Sequence, residues 1–122
     1  MNQDTKKDEL QTEIKRGNFS RAVLLAESTG LPEAEIRELR MNALWRISAV
    51  FRNAPGTRRL AHQYGFSKKD VSEFLKNRME EMRNRGDDRV LEPCYDHTTT
   101  RYLSFEEWLE GFLKNWDKLS KA

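Results

Sequence analysis

The chain has 122 residues, of which 34% are charged, 37% apolar and 10% aromatic, with a formal net charge of +2. That is enough chain for one ordinary hydrophobic core, and three Trp, six Phe and three Tyr argue against wholesale disorder. No apolar run approaches the roughly 20 residues needed to span a bilayer, and a single cysteine, Cys94, excludes an intramolecular disulfide and a multi-cysteine zinc module.

Residues 5–16 are predicted to form a short polar helix with Leu10 and Ile14 on one face, stopped by Gly17. Asn18 or Ser20 should cap a second helix reaching about Ser28, before a break at Gly30-Leu31-Pro32. The central core helix is expected over 32–53. There Ile36, Leu39, Ala43, Leu44, Ile47, Val50, Phe51 and Ala54 recur at helical spacing, and Pro55-Gly56 should end it. Trp45 falls off that stripe, so it should pack on the N-terminal helices or face a partner. A short helix over 57–63 is broken by Gly65. Ser67-Lys68-Lys69-Asp70 has the form of a capping box opening a helix to about Asn84.

From Arg89 to Leu103 the helical period vanishes. Two short apolar runs flanking Asp96-His97-Thr98-Thr99 predict a β-hairpin, with Pro93 forcing its strand to be irregular or at an edge. Ser104-Phe105-Glu106-Glu107 is a second capping box, starting a helix to about Leu119. Phe105, Trp108, Phe112 and Trp116 lie on one stripe of it. Such a stripe is ordinarily core, but its size and terminal position also allow a partner or homodimer surface.

Charge is unevenly spread. Residues 57–85 carry eight basic side chains against four acidic ones, whereas residues 86–122 carry five against eight. A basic middle followed by an acidic end is either a solvated mixed face or an electrostatic footprint for phosphate.

Leu60 and Ala61, then Gly65, Phe66, Val71 and Phe74, stand at the spacing of two helices crossing at a tight turn. This resembles the helix-turn-helix of bacterial transcription regulators. The order of helices, hairpin and trailing helix from Pro32 to Leu119 resembles a winged helix. The resemblance implies a mainly α domain with a small β-hairpin, winged-helix-like, spanning 1–122. Residues 1–31 would be an extension of two extra helices, 32–103 the core, and 104–122 an amphipathic helix. It implies double-stranded DNA as the partner, with phosphate contacts from Arg58, Arg59 and Arg101. Base-edge contacts would come from Ser67, Lys68, Lys69, Ser72 and Lys76. Glu73 and Asp70 oppose that surface.

An internal copy of the spacing is a control. Leu25, Ala26, Gly30, Leu31, Ile36 and Leu39 stand 35 residues before their counterparts, without an outward positive excess. Helix packing alone therefore accounts for the pattern in that copy. The same offset is close to that of helical-hairpin repeats, which supports a second reading as a protein-interaction module.

Cys94 and His97 are close in sequence, but a three-residue offset on a hairpin sends them to opposite faces. His62 is the only other histidine. No enzyme activity, cofactor or metal is expected, and the absence of an apolar signal core in residues 1–8 predicts a cytoplasmic protein.

Overall fold

The computed structural model describes residues 3–119. Helices α1 (Gln3–Arg16), α2 (Phe19–Thr29) and α3 (Glu33–Trp45) are followed by a π-helical turn, Arg46–Val50. Next come α4 (Ala54–Gln63), α5 (Lys68–Asn84) and a 3-10 turn, Arg89–Leu91. Strands β1 (Cys94–Asp96) and β2 (Arg101–Leu103) precede α6 (Phe105–Lys114) and α7 (Trp116–Leu119). The protein is thus mainly α with a small hairpin. No described helix is long and apolar enough to cross a membrane.

The chain divides into two compact units, Met1–Leu44 and Trp45–Ala122. The division falls where α3 passes into its π-helical continuation. In the first unit α1 packs against α2. Leu10, Ala22, Val23, Ala26, Ile36, Leu39, Ala43 and Leu44 are buried, while Leu24 stays exposed. Asn18 occupies the N-cap position of α2, but its side chain does not cap. Its Nδ2 instead donates to Glu13 Oε2 at 2.8 Å, satisfying a carboxylate that is itself buried. Arg40 joins Glu33 at 2.7 Å and Glu27 at 3.2 Å.

The π turn changes which residues of the central helix face inward. The Phe51 N–H donates to the Arg46 carbonyl five residues back, at 3.1 Å. One inserted residue advances the helical phase by about 100°. Ser48 and Ala49 are consequently buried, whereas Val50 and Phe51, expected in the core, are 46% and 62% exposed. Ser48 Oγ donates to the Trp45 carbonyl.

Arg52, at φ +51°, ends this helix. Pro55-Gly56 does not stop it but begins α4. Pro55 fits the first helical turn because it has no N–H to leave unpaired, and Asn53 caps through its side chain, accepting from Gly56 N at 3.0 Å. Gly56 makes room there: an added Cβ would lie 2.6 Å from Asn53 Nδ2 and 2.8 Å from Ile47 Cδ1, so both side chains would have to shift.

The second unit is held by a ladder of rings. Phe105 on Trp108 (5.8 Å), Trp108 on Phe112 (5.1 Å) and Phe112 on Trp116 (5.6 Å) run along α6 and α7. Trp45 packs edge-on against Phe105 at 5.1 Å and is buried. The four stripe aromatics are between 0% and 7% exposed. Phe105, Trp108, Phe112 and Trp116 are therefore packed in the core of this unit. The stripe is not one unbroken helix. α6 ends at Asn115, at φ −98° and ψ 13°, whose backbone N–H and side-chain Nδ2 both donate to the Gly111 carbonyl, at 3.1 and 3.0 Å.

Candidate nucleic-acid interface

The turn between α4 and α5 is built from helix-capping geometry. Gly65, at φ +75°, donates its N–H to the His62 carbonyl at 3.1 Å, and Phe66 N–H reaches back to the Ala61 carbonyl at 2.9 Å. This is the Schellman closure, in which only glycine enters the left-handed position without steric cost. Ala61 is fully buried and Phe66 nearly so. The earlier copy closes in the same way, Gly30 to Glu27 and Leu31 to Ala26. The alanine–glycine–apolar spacing thus has a local cause common to both copies. Ser67 then opens α5 with both halves of its capping box. Its hydroxyl accepts from Asp70 N, and Asp70 Oδ2 accepts from Ser67 N.

The arginines of this unit face inward more often than its lysines. The Arg58 guanidinium lies 4.2 Å from the centre of the Trp116 ring, and its Nε is buried without a hydrogen-bond partner. Arg58 is half-buried, and its guanidinium stacks on a core aromatic. Arg78 covers Phe74 and Trp45. Arg83 bridges Glu80 and Glu106, each at 2.8 Å, and these carboxylates raise its pKa. Arg85 meets Glu81 at 3.8 Å. Lys68, Lys69 and Lys76, by contrast, are exposed on α5 and join no ion pair among the described residues, and Arg59 is exposed on α4.

The remaining α5 positions divide. Ser67 is exposed, but its hydroxyl is committed to the cap; Ser72 is half-buried. Lys69, Glu73, Lys76 and Glu80 share one helical face with alternating sign. Lys76 also lines a groove with Met79, Glu80, Glu106, Leu109, Glu110 and Leu113. The structure therefore brings Lys68 and Lys69 together at the start of α5 and places Lys76 among carboxylates.

The hairpin pairs Cys94 with Leu103, Tyr95 with Tyr102 and Asp96 with Arg101. It is shorter than expected: the segment before Pro93 is a 3-10 turn instead of strand, because proline supplies no ladder donor. Its anchor is Arg52, which sequence reasoning missed. Nη1 donates to the Leu103 carbonyl, and Nη2 to the Val90 and Glu92 carbonyls, all at 3.1 Å. Nε closes on the Ala49 carbonyl, and the guanidinium lies over Phe105. Burial lowers the Arg52 pKa from its ordinary value.

Arg101 is exposed on β2, and its charge reaches Glu107. At the tip, Asp96 Oδ2 accepts from the N–H and hydroxyl of Thr99, and Thr100 takes φ +57°. Tyr95 meets Tyr102 at 5.4 Å and His97 at 4.9 Å, both edge-on, on the outward side of the ribbon. Cys94 Sγ turns to the Glu92 carbonyl, away from the imidazole that packs on Tyr95. Among the described residues no three His, Cys, Asp or Glu side chains gather to hold a metal ion. Comparison with family models, curated proteins and solved structures finds no match to this chain.

Proposed function

We propose that the second unit binds double-stranded DNA in the manner of a transcription regulator, through a helix-turn-helix formed by α4 and α5. The observation that carries this reading is the partition of charge. Arg52, Arg58 and Arg78 are half-buried against rings or carbonyls, and Arg83 and Arg85 are held in surface ion pairs, while Lys68, Lys69 and Lys76 remain exposed without ion pairs on the helix that follows the Gly65 turn. Lys68 and Lys69 on the first turn of such a helix, and Lys76 two turns on, would meet base edges and phosphate. Arg59 on α4 and Arg101 on the hairpin would add phosphate contacts, with the hairpin as a wing. Unpaired exposed cations are the groups that release counterions from DNA on binding.

The test is fluorescence anisotropy of a mixed-sequence duplex over a salt series. Four phosphate contacts predict a log–log salt slope of about −3.6, or roughly 150-fold weaker binding between 50 and 200 mM salt. No binding at low salt contradicts the reading, because the non-specific electrostatic term acts on any duplex.

A second reading is favoured by the carboxylates Asp70, Glu73 and Glu80 interleaved with those lysines, and by Glu106 and Glu110 beside Lys76. Interleaved signs suit a helical protein-interaction module better than a polyanion. Absence of duplex binding at low salt, with a protein partner retained in a pull-down, supports this alternative.

A further inference from the structure

We propose that the outward face of the hairpin, formed by Tyr95, His97 and Tyr102, is a stacking platform for an unpaired nucleobase; this rests on the nucleic-acid reading above. The three tryptophans of this unit are buried, yet Tyr102 is 70% exposed and Tyr95 46%; Phe51, at 62%, is exposed too but carries the Arg46 guanidinium over its ring. The Tyr95–Tyr102 and Tyr95–His97 contacts are edge-on, at 71° and 79°, so the most exposed ring, Tyr102, keeps a π-face open to solvent. Every base has a π-face to set against it, whatever its identity.

The platform is also held in place before any ligand arrives. Arg52 fixes the base of the ribbon through the Leu103, Val90 and Glu92 carbonyls, and the Asp96–Thr99 bonds close its tip. Ordering a ligand on rings already positioned costs less than ordering both.

Charge selects the occupant. Asp96 is the one carboxylate between Cys94 and Leu103, and it is engaged by Thr99. Arg101 stands exposed beside Tyr102 on the same strand. An anionic backbone meets a cation there while a ring takes its base. A proline-rich peptide would use the same rings but gain nothing from Arg101 or from the unpaired lysines of α5.

The experiment titrates three labelled probes with the full chain: a blunt duplex, that duplex with a short thymine overhang, and oligothymidylate alone. The overhang is expected to tighten binding about tenfold over the blunt duplex. Tyr102→Ala should abolish that gain and leave blunt-duplex binding unchanged, while Tyr102→Phe should retain it. Equal affinity for the overhang and blunt duplexes, or a gain that survives Tyr102→Ala, overturns the platform and leaves the duplex reading standing. Binding of oligothymidylate that depends on Tyr102, without duplex binding, supports the platform and removes the duplex reading. Binding of a polyproline peptide with no oligonucleotide bound overturns the platform.

Discussion

Replacing Arg52 by alanine should destabilise the second unit by about 3 kcal/mol. The guanidinium makes hydrogen bonds to the carbonyls of Ala49, Leu103, Val90 and Glu92. A hydrogen bond from a charged donor contributes about 1.5–3 kcal/mol. Glu92 is exposed, so water replaces that bond cheaply, and the other three share one side chain and do not add in full. The backbone strain remains in the variant, because Arg52 has φ +51° and alanine pays for it as arginine does. Arg52→Gly relieves that strain and should be about 1 kcal/mol more stable than Arg52→Ala.

Urea denaturation followed by tryptophan fluorescence measures this cleanly, since Trp45, Trp108 and Trp116 all belong to the second unit. Hydrogen exchange should show protection lost first across 94–103. A loss below about 1 kcal/mol for Arg52→Ala, or unchanged hairpin protection, refutes the anchoring role.

Further outcomes follow from the same structure. Gly56→Ala should cost about 1–3 kcal/mol by overpacking against Asn53 and Ile47, whereas Gly111→Ala, with open space around its Cβ inside α6, should stabilise by about 1 kcal/mol; thermal melts of the pair check both signs. Phe112→Ala should cost about 3–5 kcal/mol, because it removes the middle of the buried ring ladder, and urea midpoints measure it. Glu107 is held below its ordinary carboxylate range, first by the hydrogen bond it accepts from the Ser104 N–H, then by the Ser104 hydroxyl, with a contribution from Arg101. A depressed folded-state pKa means stability that is present at neutral pH and lost as pH falls through the folded value. Glu107→Gln should therefore lower the melting temperature at neutral pH and match the wild type in strong acid; an equal difference at both pH values contradicts this.

Helix starts were legible where a full capping box marks them. Ser67 with Asp70 and Ser104 with Glu107 identify themselves by spacing, and both boxes form. The π turn was not legible, because no residue type marks the inserted position. Its phase shift is why Val50 and Phe51 emerge while Ser48 goes inside. Pro55 fits a stop or a start equally well, and Asn53 decides between them by bonding forward to Gly56. Periodicity showed that Phe105, Trp108, Phe112 and Trp116 share a face but not what covers it. For the candidate interface, composition located the basic middle without separating its roles. Only contacts distant in sequence, such as Arg58 on Trp116 and Arg83 on Glu106, show which cations are already engaged.

The most direct measurement compares two charge-matched double variants in duplex-DNA anisotropy titrations over a salt series. Lys68→Glu/Lys69→Glu reverses the start of α5, and Lys114→Glu/Lys118→Glu reverses exposed lysines near the end of the chain. The account predicts that the first variant loses more than about tenfold in affinity, with a salt slope shallower by about 1.8, while the second keeps its slope. Equal losses in the two variants, or no duplex binding by the wild type at low salt, would contradict it.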